Sequence, residues 1–172
     1  MCIRDRYKEI SKLGEGGNAD VYIVEDNESG SKYALKELRS NNRSEEKKSR
    51  FVSEIMIASD NAAMIPGIIP VIDYSIEDYW YTMPIAQSIM DFVNGKSLNE
   101  IIDGVLQMCE TLCKLHDKRI HHRDIKPSNI YYYDGRYAFG DFGLVDFPDN
   151  DDFTKSDRGL GAIFTLSLIH IS

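Results

Sequence analysis

The fold is decided by two short segments, HRDIKPSN at residues 122–129 and DFG at residues 141–143. In the first segment Asp124 can accept a proton from a hydroxyl group, and Asn129, five residues later, can bind a metal ion. In the second segment the carboxylate of Asp141 can hold Mg²⁺ against the phosphates of a nucleotide. A lone DFG is common by chance, but this one follows the first segment across a predicted hairpin. Together the two segments indicate phosphoryl transfer.

A glycine-containing segment, GEGGNADV at residues 14–21, precedes them between two predicted strands. Glycines let a backbone approach phosphates closely and present N–H donors to their oxygens. The segment is not a Walker A loop, because no Gly-Lys-Ser/Thr follows it and the next element is a strand. Taken alone, it is also compatible with an ordinary hairpin that contains glycine.

Lys36 follows two apolar residues on the third predicted strand, which suggests that its ammonium group points into a protected cleft. Its natural partner is Glu54 on the next predicted helix, since a carboxylate there can hold the ammonium against an anionic ligand. Considered singly, each of these residues is more often a solvated surface charge.

Hydrophobic periodicity predicts the elements around these motifs. Residues 7–13, 21–24 and 32–38 are predicted to form an antiparallel meander of strands. The polar stretch 39–50 is predicted to be a solvated loop, and it leads into a helix whose apolar face begins at Phe51.

Hairpins and a long helix are predicted farther along the chain. The hairpin strands are 71–76 with 79–83, and 130–133 with 136–139 around an Asp-Gly turn. Ser97 and Glu100 have the spacing of a capping box, which predicts a helix that runs from Leu98 to His116. Gly104 lies inside that helix, where glycine costs up to about 1 kcal/mol relative to alanine.

The composition limits the class of protein. The chain has 172 residues, enough for one well-buried domain, of which 42% are hydrophobic and 28% charged. With 20 basic and 28 acidic residues its formal net charge is -8, which disfavours nucleic-acid binding. No apolar run reaches the roughly 18–20 residues that cross a bilayer. Cys2, Cys109 and Cys113 cannot form a disulfide framework, and they suggest a reducing, cytoplasmic compartment.

The two ends of the chain are unusual. The codons for residues 1–6 and 166–172 can be one DNA sequence read on opposite strands, and that sequence resembles a sequencing adapter. We therefore predict that residues 1–6 and 166–172 are an adapter artefact and not part of the native domain. The alternative is a natural coincidence at both ends.

In this combination and order, the motifs resemble those of a eukaryotic-like (Hanks-type) Ser/Thr protein kinase domain over nearly all of residues 7–165. The Lys-Pro-Ser-Asn end of the first segment carries the Ser/Thr resemblance, because tyrosine kinases have a different sequence there. The resemblance implies an α+β, two-lobed fold. Its expected parts are an antiparallel N-lobe with one helix (7–83), a hinge (84–87) and a partial, mainly helical C-lobe (88–165) that ends in the activation segment.

The resemblance also implies roles for individual residues. Asp124 is the expected base, and Lys126 is the lysine of the catalytic loop. Lys36 is the lysine of the third strand, and Glu54 is its carboxylate partner. The Mg²⁺ ligands are Asn129 and Asp141. Ten residues are expected to bind ATP. The phosphate-covering loop contributes Gly14, Gly16, Gly17 and Ala19, and Lys36 contacts the phosphates. The adenine site contains Val21 and Ala34, the gatekeeper position is Met83, and the hinge contains Ile85 and Ala86.

Some features depart from the family pattern or concern regulation. Ala19 stands where the third loop glycine usually lies, and Ala162 stands where many members have the threonine that helps to place substrate. Arg123 can grip a phosphate on the activation loop through charge-assisted hydrogen bonds, and Thr154 and Ser156 are the candidate acceptors. The alternative is that Thr154 and Ser156 are ordinary loop hydroxyls that are not phosphorylated.

The resemblance implies an enzyme that uses ATP and Mg²⁺ to transfer the γ-phosphate to Ser or Thr hydroxyl groups of a protein substrate. A regulatory, pseudokinase-like module that binds nucleotide without transferring phosphate is the alternative. The helices that complete the larger lobe are absent from this sequence, so we expect a C-terminally truncated fragment of a longer gene product. We expect the fragment itself to be poorly stable and poorly active, because the missing helices would leave apolar surface uncovered.

Overall fold

The computed structural model describes residues 3–15 and 18–145. The predictions for Gly16, Gly17, Thr154, Ser156, Ala162 and the segment 166–172 lie outside the described residues. The chain divides into two compact units, which comprise the described parts of Met1–Asp60 with Pro70–Ile85, and of Asn61–Ile69 with Ala86–Ser172.

The first unit is built on an antiparallel sheet. Its elements are α1 (Ile3–Arg6), β1 (Tyr7–Glu15), β2 (Ala19–Asp26), β3 (Lys32–Leu38), α2 (Glu45–Asn61), β4 (Asp73–Ser75) and β5 (Trp80–Met83). The strand order is β1-β2-β3-β5-β4, so the predicted hairpin extends the predicted meander into one five-stranded sheet. Arg6, which belongs to the predicted adapter segment, forms ion pairs with Asp26 (3.4 Å) and Asp73 (3.1 Å).

Both faces of the sheet are packed. On one face Leu35 of β3 is buried with an aromatic group to which Tyr7 and Trp80 belong, and these two rings meet edge to face at 5.9 Å. On the other face Leu38 is buried against Phe51 and Ile55 of α2. The side chains of β3 alternate between the two faces, as expected for a strand. Lys36 and Leu38 therefore share the face that carries α2.

Helix α2 begins at Glu45, six residues before Phe51. The prediction of a loop through residue 50 is wrong for this part of the chain. The backbone N–H of Lys47 donates to the Ser44 hydroxyl at 3.4 Å, and i,i+3 and i,i+4 ion pairs join the first turns. Such contacts stabilise a helical turn that presents no apolar face, so hydrophobic periodicity does not detect it.

The second unit contains a small sheet and the longest helix. Its elements are β6 (Gln87–Ser88), α3 (Ile89–Phe92), α4 (Leu98–Asp117), β7 (Ile130–Tyr133) and β8 (Arg136–Phe139), with strand order β6-β7-β8. The antiparallel sheet with its helix in the first unit and the helical segment here confirm the predicted α+β fold class. Among the described residues, no helix has both the length and the apolar character needed to cross a membrane.

A capping box begins α4, as the sequence predicts. The Ser97 hydroxyl accepts a hydrogen bond from the Glu100 N–H at 3.3 Å, and the Glu100 carboxylate accepts from the Ser97 N–H at 2.9 Å. Lys96 lies 3.0 Å from the same carboxylate. Hydrogen bonds from the Ser97 backbone and hydroxyl, followed by Lys96, lower the pKa of Glu100 from 4.5 to about 2.

Gly104 lies where α4 crosses β8. An added Cβ would overlap the ring of Tyr137, whose Cδ2 atom would be 2.6 Å away and whose Cε2 and Cζ atoms would be closer still. Gln107, one turn later, accepts a hydrogen bond from the Tyr137 N–H at 3.2 Å. The glycine therefore permits a close approach of helix and strand, which offsets its low helix propensity.

Helix α4 also carries large apolar side chains of which about half or more of the surface is exposed. They are Leu98, Ile102, Val105 and Leu106, with exposed fractions of 71%, 46%, 48% and 56%. Their spacing places them along one side of the helix.

Candidate active site

In the first unit, Lys36, Glu54 and Tyr81 form a buried polar cluster. Lys36 Nζ lies 2.6 Å from Glu54 Oε1, and the Tyr81 hydroxyl donates to the same oxygen at 2.7 Å. The Glu54 side chain is only 4% exposed, so both hydrogen bonds compensate the desolvation of its charge. The Lys36 side chain is 14% exposed, and Nζ lies 5.9 Å from the centroid of the Tyr81 ring.

The sheet brings this cluster together. Lys36 on β3 is paired directly with Tyr81 on β5, and Glu54 projects from α2, which packs on that face of the sheet. Tyr81 was not identified from the sequence, because nothing in the linear chain showed that β5 would pair with β3. The hairpin predicted from 71–76 and 79–83 contains Tyr81. Knowledge that its second strand pairs with β3 would have placed Tyr81 beside Lys36.

Most of the described residues that are expected to bind ATP lie on strands of the first unit's sheet. Val21 on β2 faces Lys36 across the sheet, and Ala34 on β3 faces Met83 on β5. Gly14 pairs with Val21 at the end of β1, and a β-bulge irregularity precedes it. Ala19 begins β2 and is buried. Ile85 is exposed at the end of the first unit, and Ala86 belongs to the second unit.

In the second unit, Asp124 is surrounded by three residues of its own segment. Lys126 Nζ lies 2.7 Å from Asp124 Oδ2. Asn129 Nδ2 donates both to Asp124 Oδ2, at 2.8 Å, and to the Asp124 carbonyl, at 2.9 Å. The Asp124 N–H donates to His122 Nδ1 at 3.4 Å. A 3-10 turn at Pro127–Asn129 closes the segment and buries Asn129.

His122 ties this segment to the one that carries Asp141. Its ring is 2% exposed and lies 5.4 Å from the ring of Phe139 and 4.7 Å from that of Phe142. Nδ1 accepts from Asp124, and Nε2 lies 3.1 Å from the carbonyl of Gly140 and donates to it in the neutral ring. Burial lowers the pKa of His122 and so favours this neutral form. The sequence placed His122 in the motif without assigning it a role.

The backbone is strained at two residues near His122, one in each of the segments that its ring joins. Arg123 and Asp141 both have φ values of 60°, in the left-handed region that residues other than glycine rarely adopt. Such conformations cost about 1–3 kcal/mol and persist only where the surroundings impose them, most often at functional sites. Here the hydrogen bonds of His122 hold the residues adjacent to both positions.

Oxygen atoms suitable for Mg²⁺ are available in this unit. Because Asn129 uses its NH₂ group on Asp124, its Oδ1 atom is left to accept, and its contact is the Ser128 hydroxyl at 3.3 Å. Amide and carboxylate oxygens are the ligands that Mg²⁺ takes, usually one or two from protein with the rest from phosphates and water. No group of three His, Cys, Asp or Glu side chains in the described part of the chain forms a metal site by itself. Asn129 and Asp141 offer oxygen atoms of the kind that Mg²⁺ takes, and their role as ligands of a metal shared with a nucleotide remains a prediction.

Comparison with known proteins identifies the class. The family model "Protein kinase domain" matches residues 7–159, and this chain belongs to that family. It is 31% identical over 170 residues to the serine/threonine-protein kinase PknD of Chlamydia muridarum, across 83% of this chain and 17% of that protein. It is 31% identical over 160 residues to the probable serine/threonine-protein kinase YbdM of Bacillus subtilis, across 84% of this chain and 59% of that protein.

A third relative is similar to a larger share of the chain. The serine/threonine-protein kinase PrkC of Bacillus subtilis is 28% identical over 180 residues, across 96% of this chain and 26% of that protein. The chain thus spans less than two thirds of the length of each of these three relatives.

Proposed function

We propose that this chain is the nucleotide-binding and catalytic part of a Ser/Thr protein kinase that transfers the γ-phosphate of ATP to a protein hydroxyl group. The observation that carries the proposal is the hydrogen-bonded group of Asp124, Lys126 and Asn129 in a chain of the protein kinase family. Membership of the family and similarity to three proteins named as Ser/Thr kinases support the choice of Ser and Thr over Tyr.

In the proposed mechanism, each residue has a task that suits its surroundings. Lys36 presents its ammonium to the α- and β-phosphates, while Glu54 and Tyr81 hold that group in place. The hydroxyl oxygen of the substrate bonds to the γ-phosphorus, and Asp124 accepts the proton that this hydroxyl loses. The bond between the γ-phosphorus and the oxygen bridging it to the β-phosphate breaks, which releases ADP. Lys126, beside Asp124, contributes positive charge near the transferred phosphoryl group. Asn129 and Asp141 would hold Mg²⁺, which neutralises phosphate charge when bound.

We further propose a cytoplasmic location and a protein substrate, both of which suit a kinase that draws on cellular ATP. Cys109 and Cys113 are free and exposed on α4, as is usual for thiols in a reducing compartment.

The test is phosphate transfer by the complete gene product from radiolabelled ATP to Ser, Thr and Tyr peptides. Asp124→Asn and Lys36→Met should each abolish transfer, whereas Asp103→Asn, a matched change on the exposed side of α4, should leave it unchanged. Equal activity in all four proteins would refute the assignment. Nucleotide binding without transfer by the unmodified protein would instead establish the regulatory module.

A further inference from the structure

The carboxylate of Asp20 is shared by two cations at the base of the glycine-containing loop. Arg39 binds it in a bidentate manner, with Nη2 2.8 Å from Oδ1 and Nε 3.0 Å from Oδ2. Lys12 Nζ lies 3.1 Å from Oδ1. We call Lys12, Asp20 and Arg39 the loop-base triad.

The loop-base triad connects the chain on both sides of the loop. Lys12 lies on β1, two residues before Gly14, and Asp20 lies on β2, directly after Ala19. Arg39 follows β3, and its backbone N–H donates to the carbonyl of Asn18 at 3.1 Å. Asp20 therefore links β2, which leaves the loop, to β1, which enters it. Arg39, the bidentate partner of Asp20, also holds the carbonyl of Asn18 at the end of the loop.

The side chain of Asp20 lies on the face of the sheet opposite the one that carries Lys36. Val21 is paired with Lys36 and Asp20 with Glu37, and neighbouring residues of a strand point to opposite faces. Asp20 is therefore placed to act on the loop through the backbone and not by contact with a nucleotide.

We propose that Asp20 is a positioning residue, which fixes the base of the phosphate-covering loop through Lys12 and Arg39 and so strengthens ATP binding. The inference rests on the proposed function, because it gives that loop its ligand. An isolated surface ion pair has little effect, but a bidentate guanidinium and a second cation on one carboxylate form a geometrically defined network. Binding costs less conformational freedom when the residues that flank the loop, Lys12 and Asn18, are already held in place before ATP arrives.

The experiment compares Asp20→Asn with Glu25→Gln in the complete gene product. Glu25 is the matched control, since it lies on the same strand but is paired with Lys8 and Lys32, away from the loop-base triad. Asp20→Asn should raise the KM for ATP and the Kd for Mg·ATP about three- to fivefold, the scale of one such network. The peptide KM and kcat should change less than these, and amide hydrogen exchange in residues 13–19 should become faster. Asp20→Glu should restore the affinity for ATP at least in part.

The outcomes separate this inference from the proposed function. If the unmodified protein binds ATP but transfers no phosphate, the proposed function fails, while the Kd for Mg·ATP and the exchange rates still test Asp20. If Asp20→Asn lowers kcat or thermal stability with the KM for ATP unchanged, its role is structural and the inference is overturned. Should that variant not fold, Arg39→Lys keeps the charge but loses the bidentate contact, and unchanged affinity and exchange in it would equally overturn the inference.

Discussion

Replacement of Gly104 by alanine tests the packing of α4 most directly, because helix propensity and tertiary contact predict opposite signs. In an exposed helix the change would stabilise the protein by up to about 1 kcal/mol. Here the new Cβ would lie 2.6 Å from Tyr137 Cδ2, and closer to two other ring atoms, so helix and strand must separate. Overpacking of this kind costs about 1–3 kcal/mol, and we expect a net loss of about 1–2 kcal/mol in the free energy of unfolding.

The assay is equilibrium denaturation in urea, with Asp103→Ala as the control on the exposed side of the same helix. A double-mutant cycle with Tyr137→Leu isolates the cause, because removal of the ring creates room for the methyl group. In the Tyr137→Leu background, Gly104→Ala should be neutral or stabilising. A stabilised single mutant, or the same loss of stability in both backgrounds, would refute the reasoning.

Three further changes probe single groups. Tyr81→Phe removes one donor from the buried Glu54 carboxylate, so we expect a loss of about 1.5–3 kcal/mol in urea denaturation and a higher KM for ATP; unchanged values would show that Lys36 suffices. The lowered pKa of Glu100 gives stability that is complete above its usual value of 4.5 and is lost as the pH falls through about 2. The urea midpoint should therefore fall less between pH 5 and pH 2 in Glu100→Gln than in the unmodified protein, and parallel curves would contradict this. Tyr137→Phe removes a buried hydroxyl that has no hydrogen-bond partner among the described residues. The urea midpoint of this variant should therefore rise, which corresponds to a gain of about 1 kcal/mol in the free energy of unfolding. A lower midpoint would mean that the hydroxyl is hydrogen-bonded.

Local patterns predicted much of the fold. The third strand, 32–38, and the hairpin strands 130–133 and 136–139 have their predicted bounds, because alternation of side chains and an Asp-Gly turn are properties of adjacent residues. The capping box at Ser97 is equally local. The early turns of α2 were missed, because ion pairs stabilise them in the absence of an apolar stripe. Strand β6 is a two-residue element that depends on β7 for its existence.

The candidate site divides in the same way. Asp124, Lys126 and Asn129 lie within one segment, so their spacing already implied that they could meet, and the structure joins them by hydrogen bonds. The role of His122 required the segment around Gly140 to fold back on its ring. A linear sequence does not specify which distant backbone carbonyl a buried ring will reach.

The sequence by itself determined the family, the order of the motifs and the chemistry that their side chains can perform, because these depend on residue types and short spacings. Only the tertiary structure decided that Tyr81 would share the Glu54 carboxylate with Lys36, that Asp20 would hold both sides of a loop, and that a glycine inside a helix would stabilise its packing. The physical reason is that these contacts join residues of different strands and helices. Their energies depend on distances that exist only after strands have paired and helices have packed.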